Sequence, residues 1–313
     1  MMWKKIIALV VALSFFCYMG IKSSLEEGDD KLQEHKLEIP AYESNTQNIE
    51  RERYQHHLEN GEAIKILSVK GRANYSIYLS YIGDETPVLQ DTTRMRSASM
   101  IKVFLLADVM EKVKMGKLNL NDEYILQNKD KVGGAGILSG YPDGTVISLE
   151  KLTELMITES DNTATNIIID MVGVEDVNRY LVMNGYKDTQ LRRKMMDMIA
   201  IREGRENYTS ASDLGTFFLR LYHSKILGGE YDDKMREILF KQTDEECFVR
   251  ALPYARIAHK TGELDHFYAD GGIIYGAGEH DMILVILAED IQDRAQTLDN
   301  MREIARLAIR GSM

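Results

Sequence analysis

The sequence predicts an α+β domain in which an antiparallel sheet is flanked by terminal helices and carries an inserted all-α lobe. Three observations predict it. β-type segments lie at both ends of the region after residue 47, the stretch 100–241 between them reads mostly as helix, and an amphipathic helix closes the chain. With 313 residues, 44% hydrophobic and 28% charged, the chain can bury a large core. Its net charge of −11 and the lack of any basic cluster interleaved with aromatics exclude a nucleic-acid surface.

Residues 1–21 stand apart. Lys4 and Lys5 precede an apolar run from Ile6 to Met19, the pattern of a secretory signal or an N-terminal membrane anchor. The run is short for a span, and no clear small-x-small cleavage site follows, so both readings stay open. Phe15 and Phe16 are bulky where a lipid-attached Cys17 would need small neighbours. Residues 22–47 are polar and acidic and read as a disordered linker. The folded domain is expected over 48–313. Cys247, the only other cysteine, reads as a small core residue.

Ile49 to Leu58 reads as a short polar helix. Tyr75 to Tyr81 is β-rich, with Pro87 to Met95 as its expected hairpin partner. Ile101 to Val113 is apolar on nearly every face, which marks a buried helix, and Gly116 is placed to end it. Ser99 and Lys102 precede it, three apart and so on one face. A first helical turn offers unpaired N–H groups to an oxyanion, and burial drives a lysine towards the neutral amine that can take a serine's proton. One Ser-x-x-Lys match is expected about once in a chain this long. Ser148-Leu149-Glu150-Lys151 is a second, read as a helix cap.

Gly133-Gly134-Ala135-Gly136 lacks the lysine and strand–helix setting of a phosphate loop and reads as a turn. Helices are expected from Ser148 to Thr158, Thr163 to Val172, Glu175 to Asn184, Ser210 to His223 and Asp232 to Lys241. Ser160-Asp161-Asn162 falls in a tight connection between two of them. Residues 186–208 have no clean period and read as a long loop, a class that is often functional. Strands are expected at 256–262, 267–275 and 282–288, then a helix from Asp293 to Ile309.

Ser99-x-x-Lys102, Ser160-Asp161-Asn162 and Lys260-Thr261-Gly262 follow one another 61 and 100 residues apart. Their joint chance in this order is on the order of one in a thousand. The combination resembles the class A β-lactamases and penicillin-binding proteins, over roughly residues 50–311. Asn162-Thr163-Ala164 and His259 before the lysine triad are smaller echoes.

The resemblance implies a β-lactamase-like fold and acyl transfer to Ser99 from a β-lactam or a cell-wall peptide. Lys102 would be the base or part of the proton route, and Ser160 would pass a proton to the leaving nitrogen. Asn162 would hold a substrate amide, while Lys260, Thr261 and Gly262 would form the substrate-carboxylate site. The N–H groups of Ser99 and Glu263 would make the oxyanion hole. No cofactor is implied, no metal-ligand spacing exists, and an extracytoplasmic monomer is expected. Aligning Thr189, Leu191 and Arg193 with the family's loop puts Met195 where its water-activating glutamate belongs, and Ile199 where an asparagine is expected. Asp197 is the nearest carboxylate and the candidate substitute. The family's extra arginine after the lysine triad is also missing; Asp265, His266 and Asp270 stand there. Hydrolysis, D-Ala-D-Ala peptidase action and sensing without turnover all fit these residues.

Overall fold

The computed structural model describes residues 41–69, 72–276 and 280–310. The expected signal or anchor, 1–21, and residues 22–40 of the expected linker lie outside the described residues. A long helix, α1 (Ala41–Val69), begins inside that linker and covers the short helix expected at 49–58. Then come β1 (Asn74–Tyr81), β2 (Leu89–Asp91) and β3 (Arg94–Arg96), and a 3₁₀ turn, Ala98–Ile101, leading into α2 (Lys102–Lys114). β4 (Glu123–Ile125), β5 (Val146–Ser148), α3 (Leu149–Thr158), α4 (Asn162–Val172), α5 (Val174–Met183) and α6 (Met198–Arg202) follow. The chain continues through β6 (Tyr208–Ser210), α7 (Ala211–Tyr222), α8 (Gly229–Leu239) and α9 (Phe248–Ala251). It closes with β7 (Arg256–Leu264), β8 (Phe267–Tyr275), β9 (Met282–Glu289) and α10 (Arg294–Arg310).

β1, β2, β7, β8 and β9 form one antiparallel sheet in the order β2-β1-β9-β8-β7. Side chains alternate across it. Ile283, Val285 and Leu287 of β9 join the core shared with the helical middle, while Leu284, Ile286 and Ala288 join the core under α10. α2 is buried on all sides over its first nine residues, as its unbroken apolar run requires. Ser148 caps α3 by accepting the Lys151 N–H at 3.2 Å, so the second Ser-x-x-Lys is a cap. The described residues from Ile49 onward make one compact unit.

Three expectations need correction. Of the expected partner 87–95, the strand paired with β1 is only Leu89–Asp91; Thr93 donates its N–H to Ser76 Oγ at 3.0 Å, and β3 leaves to pair with β6. The inserted lobe is not purely helical, because β4 and β5 form a small antiparallel pair within it. The 186–208 loop contains the short helix α6.

Candidate active site

Three elements meet around Ser160. The first is the 3₁₀ turn before α2, which presents Ser99 half-buried and starts α2 at the fully buried Lys102. Its first residue, Ala98, is held at φ +45°, a conformation that costs energy outside glycine and clusters at functional sites. The Ser99 hydroxyl has no hydrogen-bond partner among the described residues, which leaves it open to an incoming group.

The second element is the α3–α4 connection. Asp161 caps α4 by accepting the Ala164 N–H at 2.8 Å, and its other oxygen accepts the N–H groups of Ile137 and Leu138, both at 2.7 Å. A Cβ on Gly136 would come within 2.3 Å of the Asp161 carboxyl, so the glycine lets that loop close on the cap. With Asp161 held, Ser160 sits at φ +51° and Asn162 opens the helix. The Gly-rich segment expected as a plain turn thus forms a wall. Asn162 donates its backbone N–H to Ala135 O (3.1 Å) and its amide to Gly133 O (3.2 Å).

The third element is β7, the edge of the sheet. A Cβ on Gly262 would stand 3.2 Å from the Ser99 backbone N, so the glycine allows β7 to lie against the Ser99 turn. This brings Ser99 and Glu263 to the same pocket of about 260 Å³, lined also by Ala135, Ser160, Thr261 and Gly262.

Lys102 Nζ donates to Ser160 O (2.6 Å), Ser160 Oγ (3.1 Å) and Asn162 Oδ1 (3.1 Å). Lys260 Nζ reaches the same Ser160 Oγ from the other side at 3.1 Å and donates to Thr261 O at 2.7 Å. Burial pushes the Lys102 ammonium well below its ordinary range; the Lys260 charge adds to this and the Asp161 charge opposes it. Burial lowers Lys260 to about 7, opposed by the charges of Asp244 and Asp270. Behind β7, the buried pair His259–Asp270 (2.8 Å) is anchored by the Phe248 N–H on Asp270 (3.0 Å).

The 186–208 loop meets this site from one side. Asn166, one turn beyond Asn162, accepts the Met195 N–H (2.8 Å) and donates to Met195 O (3.0 Å). The Met195 side chain is buried in the core. Met196 Sδ and Asn162 Nδ2 both lie within 3.0 Å of where a Gly134 Cβ would stand, so Met196 flanks Asn162. Asp197 is not brought to Ser99. Its carboxylate caps α6 by accepting the Ala200 N–H at 2.9 Å, and it lines a separate cavity with Lys129, Asn166 and Asp170.

Of the residues expected at the site, Ser99, Lys102, Ser160, Asn162, Lys260, Thr261, Gly262 and Glu263 converge and Asp197 does not. Of the three residues standing where the family's extra arginine is missing, Asp270 is buried, while His266 and Asp265 are exposed on the β7–β8 turn. The sequence reading missed Asn166, although its spacing from Asn162 places the two on one helix face. It also missed Glu159 and the segment Gln242-Thr243-Asp244, which complete the pocket; no local pattern marks them. Among the described residues no His, Cys, Asp and Glu group could hold a metal ion, and no helix is long and apolar enough to cross a membrane.

The model of the Beta-lactamase enzyme family matches residues 61–311. A β-lactamase of Streptomyces fradiae is 27% identical over 224 residues, 68% of this chain and 73% of that protein. The crystal structure of a β-lactamase from Sphaerobacter thermophilus superposes with a TM-score of 0.73 at 29% identity, covering 81% of this chain and 96% of that one. A variant of PBP-A, solved as its acyl-enzyme complex with penicillin G, shares the fold with a TM-score of 0.72 at 24% identity, covering 80% and 95%.

Proposed function

The chain belongs to the β-lactamase enzyme family, a serine hydrolase of β-lactams, and from that membership we propose how its site works. Ser99 attacks the lactam carbonyl. Lys102, driven towards the neutral amine by burial, takes up the serine proton. Ser160 passes a proton to the departing nitrogen. The N–H groups of Ser99 and Glu263 stabilise the oxyanion, Lys260 and Thr261 receive the substrate carboxylate beside Gly262, and Asn162 accepts the side-chain amide. The observation that carries this reading is Ser160 Oγ, 3.1 Å from the amine nitrogens of both Lys102 and Lys260. One hydroxyl between two lysines of lowered pKa is a proton path with a cation at its end.

Deacylation is the slow step in this proposal. At the loop position aligned with the family's glutamate stands Met195, whose thioether accepts no proton at neutral pH. Asp197 is occupied as a cap. Acylation therefore outruns hydrolysis, and nitrocefin should give a burst of about one equivalent before slow turnover. A fluorescent penicillin should label the chain, and Ser99→Ala should abolish the labelling while the protein stays folded. Labelling that persists in Ser99→Ala sinks the assignment.

The same Met195 favours a second reading, a D-Ala-D-Ala peptidase or a sensor that β-lactams acylate without turnover. Release of D-alanine from a D-Ala-D-Ala peptide, with no nitrocefin turnover after the burst, would select the peptidase. We also place the enzyme outside the cytoplasmic membrane as a monomer. The charged and apolar pattern of residues 1–21 supports the location.

A further inference from the structure

The pocket that holds Ser99 is unusually acidic for a site that must receive a carboxylate. Glu159, Asp244 and Glu263 all line it. Glu263 is spoken for, since Arg294 reaches its two carboxylate oxygens at 2.6 and 3.2 Å. The other two carboxylates have no cation paired with them among the described residues. Asp244 accepts the Glu246 N–H at 3.0 Å and the Tyr268 O–H at 3.3 Å, both neutral donors. Glu159 makes no side-chain hydrogen bond or ion pair among the described residues. Lys260, on which the Asp244 charge acts through space without an ion pair, is buried and already donates to Ser160 and Thr261.

Asp244 is also held rigidly. The Gln242 amide oxygen accepts the N–H groups of Thr243 (2.8 Å) and Asp244 (3.1 Å), while its nitrogen donates to Ile157 O (3.0 Å). Thr243 Oγ1 donates to Thr158 O at 2.8 Å. The segment is thereby laced to the end of α3, one residue before Glu159 and two before Ser160. A fixed, half-buried carboxylate without a cationic partner repels a second anion and attracts a cation on a bound ligand.

We propose that Asp244 is a specificity-determining residue that favours ligands bearing a fixed positive charge beside their carboxylate, so that zwitterionic β-lactams acylate Ser99 in preference to singly anionic ones. The inference rests on the acyl-enzyme reading of this pocket. A ligand carboxylate placed at Lys260 and Thr261 sets its neighbouring substituent against the wall that Asp244 and Glu159 form. A pyridinium or ammonium group there meets an unpaired negative charge; a neutral or anionic group leaves that charge unanswered.

Cephaloridine and cephalothin test this, because they share one acyl side chain and differ at the group beside the ring carboxylate, pyridinium in the first and acetoxy in the second. The second-order rate of Ser99 acylation is measured for both with the full chain and with Asp244→Asn, with the adduct identified by mass. Asparagine keeps the oxygen that accepts the Glu246 N–H, so the local fold is retained. The cephaloridine-to-cephalothin ratio should fall about fivefold in Asp244→Asn, the size of a partly exposed charge pair. In the wild type the ratio should also shrink when salt is raised to about 0.5 M. A ratio unchanged by both the substitution and the salt, with adduct present, overturns the role of Asp244 alone. Absence of any Ser99 adduct with either cephalosporin overturns the acyl-enzyme reading and this inference with it.

Discussion

The Ser160 junction and the Met195–Asp197 loop flank the same residue, Asn162, and are built on opposite principles. At the junction polar groups are buried in numbers and nearly all are answered: Lys102 has three acceptors and Lys260 two. Asp161 accepts three N–H groups. In the loop, the Asn166 side-chain amide fixes the backbone of Met195 while the side chains offered are thioethers, and the one carboxylate caps its own helix. A buried polar network is costly unless complete, so a complete one marks where chemistry needs charge and protons. The loop meets no such requirement. On the reading proposed above, the junction is equipped to form the acyl-enzyme, and the loop, which lines a neighbouring cavity, is not equipped to hydrolyse it.

The strongest way to break this contrast is at Lys102. Lys102→Ala removes the proposed proton acceptor at the junction and should slow acylation about 10²–10⁴-fold, read as the rate of penicillin labelling. A loss below about threefold would mean that the junction's network is structural.

Met195→Glu should erase the contrast by equipping the loop. Steady-state turnover of nitrocefin should rise about tenfold or more and the burst should fade, because a carboxylate then stands where water must be activated. The variant should also melt earlier, since the position is buried. A persistent burst with unchanged turnover would show that the loop does not reach the acyl group.

A pH series sharpens the description of the junction. Lys260 is lowered to about 7 by burial, so it is charged below that pH and neutral above it. If Lys260 receives the substrate carboxylate as proposed, that recognition should be present at low pH and lost as pH rises through about 7. The concentration for half-maximal acylation should climb up to about tenfold between about pH 6 and about pH 8. The same substrate as its carboxylate methyl ester should show no such climb; an equal climb for both assigns the titration elsewhere.

The smallest effect is expected at Asp197. Asp197→Asn keeps a side chain that can cap α6 and should leave deacylation within about twofold of wild type, while Asp197→Ala should cost about 1 kcal/mol of stability. A deacylation rate that collapses in Asp197→Asn would restore Asp197 as the base and dissolve the contrast between the two regions.

Much of the architecture was legible locally. The apolar run of α2, the Ser148 and Ser210 caps and the alternation of β7 to β9 are set by neighbours a few residues away, and the expected elements fall close to the observed ones. The misreadings are non-local. That β3 would leave β1 for β6 depends on a partner more than a hundred residues later, and nothing in Arg94-Met95-Arg96 announces it. Asp197 is a carboxylate near the aligned position, but it caps α6 through the N–H of Ala200, three residues on, and lines a cavity other than the Ser99 pocket.

By itself the sequence determined an α+β domain and its three motifs, because those are properties of composition, spacing and local period; the resemblance to the family then implied a methionine where the family carries a carboxylate. Only the tertiary structure decided that Lys102 and Lys260 share one serine oxygen, that glycines at 136 and 262 allow the walls to close, and that Asp244 comes to stand in the Ser99 pocket with no ion pair among the described residues. The physical reason is burial. A lysine's charge, a glycine's missing Cβ and a carboxylate's partner acquire their meaning from segments that meet in space after long stretches of chain, and no local period records who those partners will be.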